Sequence, residues 1–315
     1  MSGVLDEVNR RTQLVGQNRL ELLLFYMGDK QLFGINVFKV REVIPCPTLK
    51  RMPDSHSVVA GIAHIRGTTV SLIDMAKSIG KAPLPKTDGT FVIMTEFNRT
   101  VQGFLVSAVD RIVNLNWDAI RPPPKGTEIG SFLTAVTSVD DKLVQIVDVE
   151  KVLEMVTGPS KGVSAELAES GQQTHGRVRR VLVADDSSVA RKQIKRALDE
   201  LGVESIVVKD GREALDTLKE LAGVTGSIDD QIAMLISDIE MPEMDGYTLT
   251  AELRKVPELA QLHVILHSSL SGSFNAAMVE RAGANRFLPK FSPDDLAEAV
   301  LDQIRGPASP ADDPA

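Results

Sequence analysis

Met234-Leu235-Ile236-Ser237 is a mostly apolar run too short to be a helix, and it ends on a carboxylate, Asp238, followed by turn residues at Pro242 and Asp245-Gly246. That pattern predicts a buried strand delivering one acid to its C-terminal end. In an open α/β sheet, ligands bind beyond the carboxyl ends of the strands, so Asp238 is placed for chemistry and not for packing.

Two more acids occur upstream in the same setting. The run Val181-Leu182-Val183-Ala184 ends in Asp185-Asp186, and Ser187-Ser188 then opens a stretch whose apolar residues, Val189, Ile194, Leu198 and Leu201, recur with helical spacing. Adjacent carboxylates at one strand end repel each other unless a cation sits between them. With Asp238 they would form an oxygen-only cluster suited to Mg²⁺, a hard ion that takes one or two carboxylates and keeps several waters. Taken alone, Asp-Asp-Ser-Ser also reads as a helix N-cap with a favourable dipole charge. Two later strand ends add to the picture: Val264-Ile265-Leu266-His267 finishes at Ser268-Ser269, and Arg286-Phe287-Leu288-Pro289 finishes at Lys290.

The acid pair, the lone acid followed by MPEMDG, the hydroxyl and the lysine, in that order and each at a strand end, resemble the receiver domain of two-component response regulators over roughly residues 179–305. The resemblance implies an α/β doubly wound (βα)5 fold with a parallel sheet. It implies Asp238 as phosphoacceptor, with Asp185, Asp186, Asp238 and the backbone carbonyl of Glu240 holding Mg²⁺. Ser268 is then expected to bind a phosphoryl oxygen, Lys290 to pair with the phosphate, and Phe287 to act as the aromatic switch that moves inward on activation. Two departures stand out. Phe291 follows Lys290 where many receivers have proline, and Leu221–Gln231 is longer than receivers usually need, which predicts an exposed insertion.

The first half of the chain reads differently. From Leu20 to Leu153, short candidate strands with Gly and Pro between them follow one another closely: 22–26, 31–37, 60–65, 69–73, 91–97, 101–106, 109–115, 132–138 and 143–147. Such spacing predicts an all-β region of one or more small barrels. His56 and His64 have no second ligand at metal spacing, and the single cysteine, Cys46, excludes an internal disulfide and any cysteine-cluster metal site. The residues Phe33-Gly34-Ile35-Asn36-Val37 through Ile44, the run from Gly61 through His64-Ile65-Arg66-Gly67 to Ile73-Asp74-Met75, and the closing Leu143–Leu153 resemble the CheW-like adaptor domain of bacterial chemotaxis, a pair of SH3-like barrels. His64 and Ser71 stand where that family usually has an amide and a proline. Arg66 and Gly67 form a strand-connecting turn, and a guanidinium there can fork onto a partner's carboxylate or pin the turn to its own domain.

The expected organisation is a short N-terminal helix within 1–19, a CheW-like adaptor domain over 20–157, a flexible linker over 158–177 with room for a transient helical turn at Ser164–Ala168, a receiver over 178–306 and a disordered tail over 307–315. Adaptor followed by receiver matches the CheV family of chemotaxis coupling proteins. That resemblance implies bridging of methyl-accepting chemoreceptors to the histidine kinase CheA, with phosphorylation of the receiver by that kinase, and not enzymatic turnover of its own. Alternatives are a receiver acting mainly as a phosphate sink, or an aspartyl-phosphate phosphatase or phosphotransferase; the latter lacks its second motif aspartate in Asp238-Ile239-Glu240. A net charge of −8 argues against nucleic acid as the main partner. The absence of a hydrophobic signal core or long apolar run predicts a cytoplasmic protein associated with receptor arrays, without direct membrane insertion.

Overall fold

The computed structural model describes residues 19–85, 89–97, 100–123, 132–158, 162–172, 180–225, 228–268, 279–290 and 292–305. The expected N-terminal helix and the expected disordered tail lie outside them. The described residues fall into two compact units, 19–158 and 162–305.

Among the described residues, ten strands build the first unit: β1 (Arg19–Tyr26), β2 (Leu32–Asn36), β3 (Val40–Pro45), β4 (Val59–Ile65), β5 (Thr68–Asp74), β6 (Phe91–Phe97), β7 (Thr100–Val106), β8 (Ala108–Asn116), β9 (Leu133–Val139) and β10 (Lys142–Val147). They form two five-stranded sheets, ordered β8-β1-β2-β10-β9 and β3-β6-β7-β5-β4. Most neighbours are antiparallel, but β10 runs parallel to β2 and β5 parallel to β7. The alternation of a strand explains why β1 is apolar on both faces from Leu22 to Phe25. Leu22 and Leu24 enter one cluster with Leu32, Val144 and Ile146, whereas Leu23 and Phe25 face the larger core shared by both sheets, with Phe33, Leu72, Ile93 and Phe104. Among the elements is a short helix, α1 (Met75–Ser78), capped by Asp74.

Helix α2 (Val149–Thr157) closes this unit and packs Val149, Val152 and Leu153 into the shared core. Its N-cap is Asp148, whose Oδ1 accepts from Lys151 N at 3.0 Å, and its C-cap Gly158 adopts φ 77°. Glu150, in the first turn, is buried and pairs with Lys39 at 3.0 Å.

The second unit alternates strand and helix: β11 (Arg180–Ala184), α4 (Ser188–Glu200), β12 (Ser205–Val208), α5 (Gly211–Thr225), β13 (Ile232–Asp238), α6 (Gly246–Lys255), β14 (Val264–Ser268), β15 (Arg286–Pro289) and α7 (Pro293–Arg305), preceded by α3 (Ala165–Gln172). The sheet order is β12-β11-β13-β14-β15, every pair parallel. Parallel strands covered on both faces are near-continuous apolar runs, and β13 is buried at all seven positions, apolar from Ile232 to Ile236 before Ser237 and Asp238. Leu182, Leu235 and Leu266 pack with residues of α5 and α6, while Val181, Val183, Met234 and Ile236 pack with residues of α4 and α7. This is the doubly wound arrangement, with its switch point between β11 and β13.

Two expectations are corrected here. The stretch Leu221–Gln231 is not simply an exposed insertion: α5 continues through Thr225, Ala222 and Ile228 are buried, and Gln231 Nε2 donates to Leu221 O at 2.9 Å. The stretch 158–177 is not a flexible linker throughout, because residues 165–172 form α3, and Val163 and Leu167 pack against the cluster of α4 and α7. The helical turn expected at Ser164–Ala168 is thus the start of a longer, docked helix, whose two apolar side chains are too few to give a strong helical period.

Burial, reinforced by the charge of Glu150 and opposed by Lys39 and Lys151, holds the Asp148 carboxyl above the ordinary carboxylate range. An acid raised in the folded state binds its proton more tightly folded than unfolded, so its favourable contribution is present at low pH and lost as pH rises from about 4 through the folded value. Asp148→Asn keeps the cap acceptor and removes the charge. Urea midpoints of the first unit between about pH 4.5 and pH 7 should then lose part of this downward slope, with the variant at least as stable as the parent at the upper end. A slope equal to the parent's would contradict the reading.

Candidate functional site

The C-terminal ends of β11, β13 and β14, and the residue after β15, meet at one edge of the parallel sheet. Asp185 follows β11 and is fully buried, Asp238 closes β13, Ser268 closes β14, and Lys290 follows Pro289. Lys290 Nζ lies 2.6 Å from Asp238 Oδ2 and 2.8 Å from Asp185 Oδ2. Asp185, Asp238 and Lys290 are each less than 5% exposed, so one desolvated ammonium is shared by two desolvated carboxylates. Such charges are costly to bury and are retained only with good mutual geometry.

Backbone groups fix the carboxylates further. Asp238 Oδ1 accepts from Ile239 N at 2.7 Å and from Glu240 N at 3.3 Å. Asp185 Oδ1 accepts from Ser187 N at 2.8 Å, and Ser187 Oγ in turn caps α4 through Ala190 N at 3.3 Å. Arg191, one turn into α4, donates to the Asp185 carbonyl at 2.5 Å. The two readings left open for Asp185-Asp186-Ser187-Ser188 are thus divided between residues: Ser187 is the cap, and the acids face the sheet edge. Main-chain Lys290 N donates to Ser268 O at 2.7 Å, which ties the last two strand ends together.

The loop 239–245 returns beneath Asp238. Glu243 adopts φ 61°, Asp245 caps α6 by accepting from Thr248 N at 2.8 Å, and Gly246 N donates to Ile239 O at 2.9 Å. A Cβ on Gly246 would stand 2.2 Å from the carbonyl oxygen of Asp238, so the glycine after Asp245 is required by close approach of two backbones. Tyr247, just inside α6, has its hydroxyl pushed well above the usual phenol range by burial and then by the charges of Glu240 and Asp245, so it adds no charge to the site.

Oxygens of Asp185, Asp186 and Asp238 all lie within 4.8 Å of one another. Three carboxylates so close, two buried and one half-buried, supply more negative charge than Lys290 neutralises, and an all-oxygen set fits a hard divalent cation such as Mg²⁺. Phe287, on β15, is partly buried and packs against the cluster that contains Leu266 and Leu249.

In the first unit, Arg66 and Gly67 form the two-residue turn between β4 and β5, at φ 47° and 84°. Positive φ at both positions matches the tight hairpin turn that follows strand twist. The Arg66 side chain is 75% exposed and lies 2.8 Å from Glu42, so it is displayed to solvent, and its ion pair contributes little to stability.

The profile of the CheW-like domain family matches residues 21–157, and that of the response regulator receiver domain matches residues 181–301. Chemotaxis protein CheV3 of Helicobacter pylori is 34% identical over 277 residues, covering 85% of this chain and 87% of that protein. Chemotaxis protein CheV1 of the same organism is 30% identical over 319 residues, covering 95% and 98%. Among solved structures, the receiver domain of the histidine kinase CKI1 from Arabidopsis thaliana, complexed with Mg²⁺, is 36% identical, covering 39% of this chain and 90% of that one with a TM-score of 0.36.

Removing Lys290 leaves two buried carboxylates facing each other. Lys290→Met should lower the stability of the second unit by about 3–5 kcal/mol, read as a lower urea midpoint, because breaking one partner of a buried pair strands the other charge. An unchanged midpoint would show that the acids are neutralised by other means.

Proposed function

Since this chain belongs to the CheV family of chemotaxis coupling proteins, we propose that Asp238 accepts a phosphoryl group from the histidine kinase CheA and that this modification tunes the coupling carried out by the adaptor half. The chain is a chemotaxis coupling adaptor with a phosphorylatable receiver domain, and its family is one of adaptors and not a catalytic family. The observation that carries the choice of Asp238 is Lys290, a single buried ammonium held at 2.6 Å from that carboxylate and at 2.8 Å from Asp185.

Phosphoryl transfer between a phosphohistidine and a carboxylate demands little covalent chemistry from the protein beyond positioning and charge neutralisation. A carboxylate oxygen of Asp238 forms the new O–P bond while the P–N bond breaks and the imidazole departs with the electron pair. The N–H groups of Ile239 and Glu240 hold the carboxylate in place during attack. Lys290 is already beside Asp238 and pairs with a phosphoryl oxygen as charge accumulates, and the hydroxyl of Ser268 supplies a further hydrogen bond. Asp185, Asp186, Asp238 and the carbonyl of Glu240 would hold Mg²⁺, which when bound neutralises charge on the phosphoryl oxygens. Phosphorylation adds strong acceptor oxygens and negative charge at the sheet edge. Ser268 turns toward them, and Phe287 moves inward into the space released.

The adaptor half binds the kinase and the methyl-accepting chemoreceptors in the cytoplasm at receptor arrays, with the exposed turn at Arg66 and Gly67 as one contact. Among the described residues, no helix is long and apolar enough to cross a membrane. Nucleic acid is not a partner in this reading.

Asp238→Asn should abolish phosphoryl uptake from the phosphorylated kinase while the protein stays folded, since it removes the nucleophilic charge and little volume. Uptake at the parent rate would move the phosphoacceptor elsewhere. Mg²⁺ at about 100 times its dissociation constant should stabilise the parent's second unit by about 2.7 kcal/mol, seen as a rise in its thermal midpoint. In Asp186→Asn the apparent Mg²⁺ affinity should fall by at least about tenfold. An equal Mg²⁺ response in both proteins would remove Asp186 from the ligand set.

A further inference from the structure

Residues 162–172 lie against α4 and α7, and polar contacts tie them to both helices. Val163 N donates to Glu200 Oε2 at 2.7 Å, and Ser164 N donates to Asp294 Oδ1 at 2.8 Å. At the other end, Arg305 Nη2 donates to Ser170 O at 3.0 Å and also meets the Ser170 hydroxyl. Two carboxylates thus face the N-terminal end of α3 and a guanidinium its C-terminal end, the arrangement that complements a helix dipole. Between them, Val163 and Leu167 pack on the apolar cluster containing Ile194, Leu198 and Val300. Gly171 is buried where a Cβ would stand 2.7 Å from the carbonyl oxygen of Leu201.

An eight-residue helix is marginal in water on its own. Its order therefore depends on the groove. Both walls begin at the acid cluster. Ser187, the N-cap of α4, donates its main-chain N–H to Asp185, and Asp294, which holds Ser164, lies four residues beyond Lys290 in the first turn of α7.

We infer that residues 162–172 are a clasp whose docking in the α4/α7 groove reports the state of the acid cluster and sets the length of chain between the two units. The observed docking belongs to Lys290 in contact with both Asp185 and Asp238. A phosphoryl group on Asp238 draws Lys290 outward to its oxygens, which displaces the chain leading to Asp294 and weakens the hydrogen bond to Ser164. With the clasp closed, about five residues separate Gly158 from Val163; with it open, about twenty-two separate Gly158 from Arg180. For a flexible chain the root-mean-square reach then grows from roughly 12 Å to roughly 26 Å, and the effective concentration of one unit near the other changes with it. This rests on the assignment of Asp238 as the phosphorylated carboxylate.

The test is amide hydrogen exchange of the full-length protein with Mg²⁺, with and without acetyl phosphate, the phosphorylated fraction being read from intact mass. Exchange of residues 163–172 should be at least about tenfold faster in the phosphorylated protein, within the usual range of coupling between sites, while α5 is unchanged. In Gly171→Val the same residues should exchange fast without acetyl phosphate, and phosphorylation should add little. Protein that takes up phosphate on Asp238 but keeps 163–172 protected overturns the clasp and leaves the site assignment standing. Protein that takes up no phosphate on Asp238 overturns both.

Discussion

One desolvated ammonium holds the second unit's active edge together. Lys290 reaches Asp238 and Asp185 at the same time, so strands that are far apart in sequence are tied at their carboxyl ends by charge as well as by the sheet. Without a counter-ion, two buried acids at neighbouring strand ends would oppose the packing of β11 beside β13. The pair also leaves the edge poised. Three acids and one base carry a net negative charge, which favours a divalent cation, and a phosphoryl group arriving there must compete for the same lysine. Stability and responsiveness thus rest on the same contact.

The first unit works by a different logic. Its buried polar groups, such as Asp74 and Asp148, cap helices, and its charged turn at Arg66 is exposed. The described residues there bring no carboxylate cluster to a strand end. Two sheets with a shared apolar core present edges and turns to solvent, which suits a protein whose work is to be bound.

Much of this was legible in the sequence because charge at the end of an apolar run is a strong local signal. Asp185, Asp238, Ser268 and Lys290 each terminate such a run, and the structure brings them to one sheet edge. Most strands of the first unit lie within a residue or two of where alternation placed them. Strand β3 was not separated from the residues around it, because Val40–Pro45 carries Arg41 and Glu42 amid its apolar residues. Contacts made by backbone N–H groups left no trace in composition. The docking of 162–172 uses Val163 N, Ser164 N and the small size of Gly171, which a reading of side-chain pattern takes for a linker. The continuation of α5 past Leu221 is obscured in the sequence by Gly223, whereas the structure carries it through Thr225 with Ala222 buried. Arg191 carries no signal in the sequence because its partner is the carbonyl of Asp185 and not a side chain.

The parallel pairing of β2 with β10 has a consequence for the birth of the protein. Strand β2 finds its second neighbour only in residues 144–146, more than a hundred positions later in the chain. A ribosome adding about 5–20 residues per second leaves that interval open for roughly 5–20 s. During this time the β1–β2 hairpin can form, but the far edge of β2, with its apolar Leu32, Phe33 and Ile35, has no native strand to pair with. An unpaired apolar edge is a template for association with other chains. Until Lys142–Val147 has been made, the nascent first half therefore carries an edge that only the end of its own unit can cover.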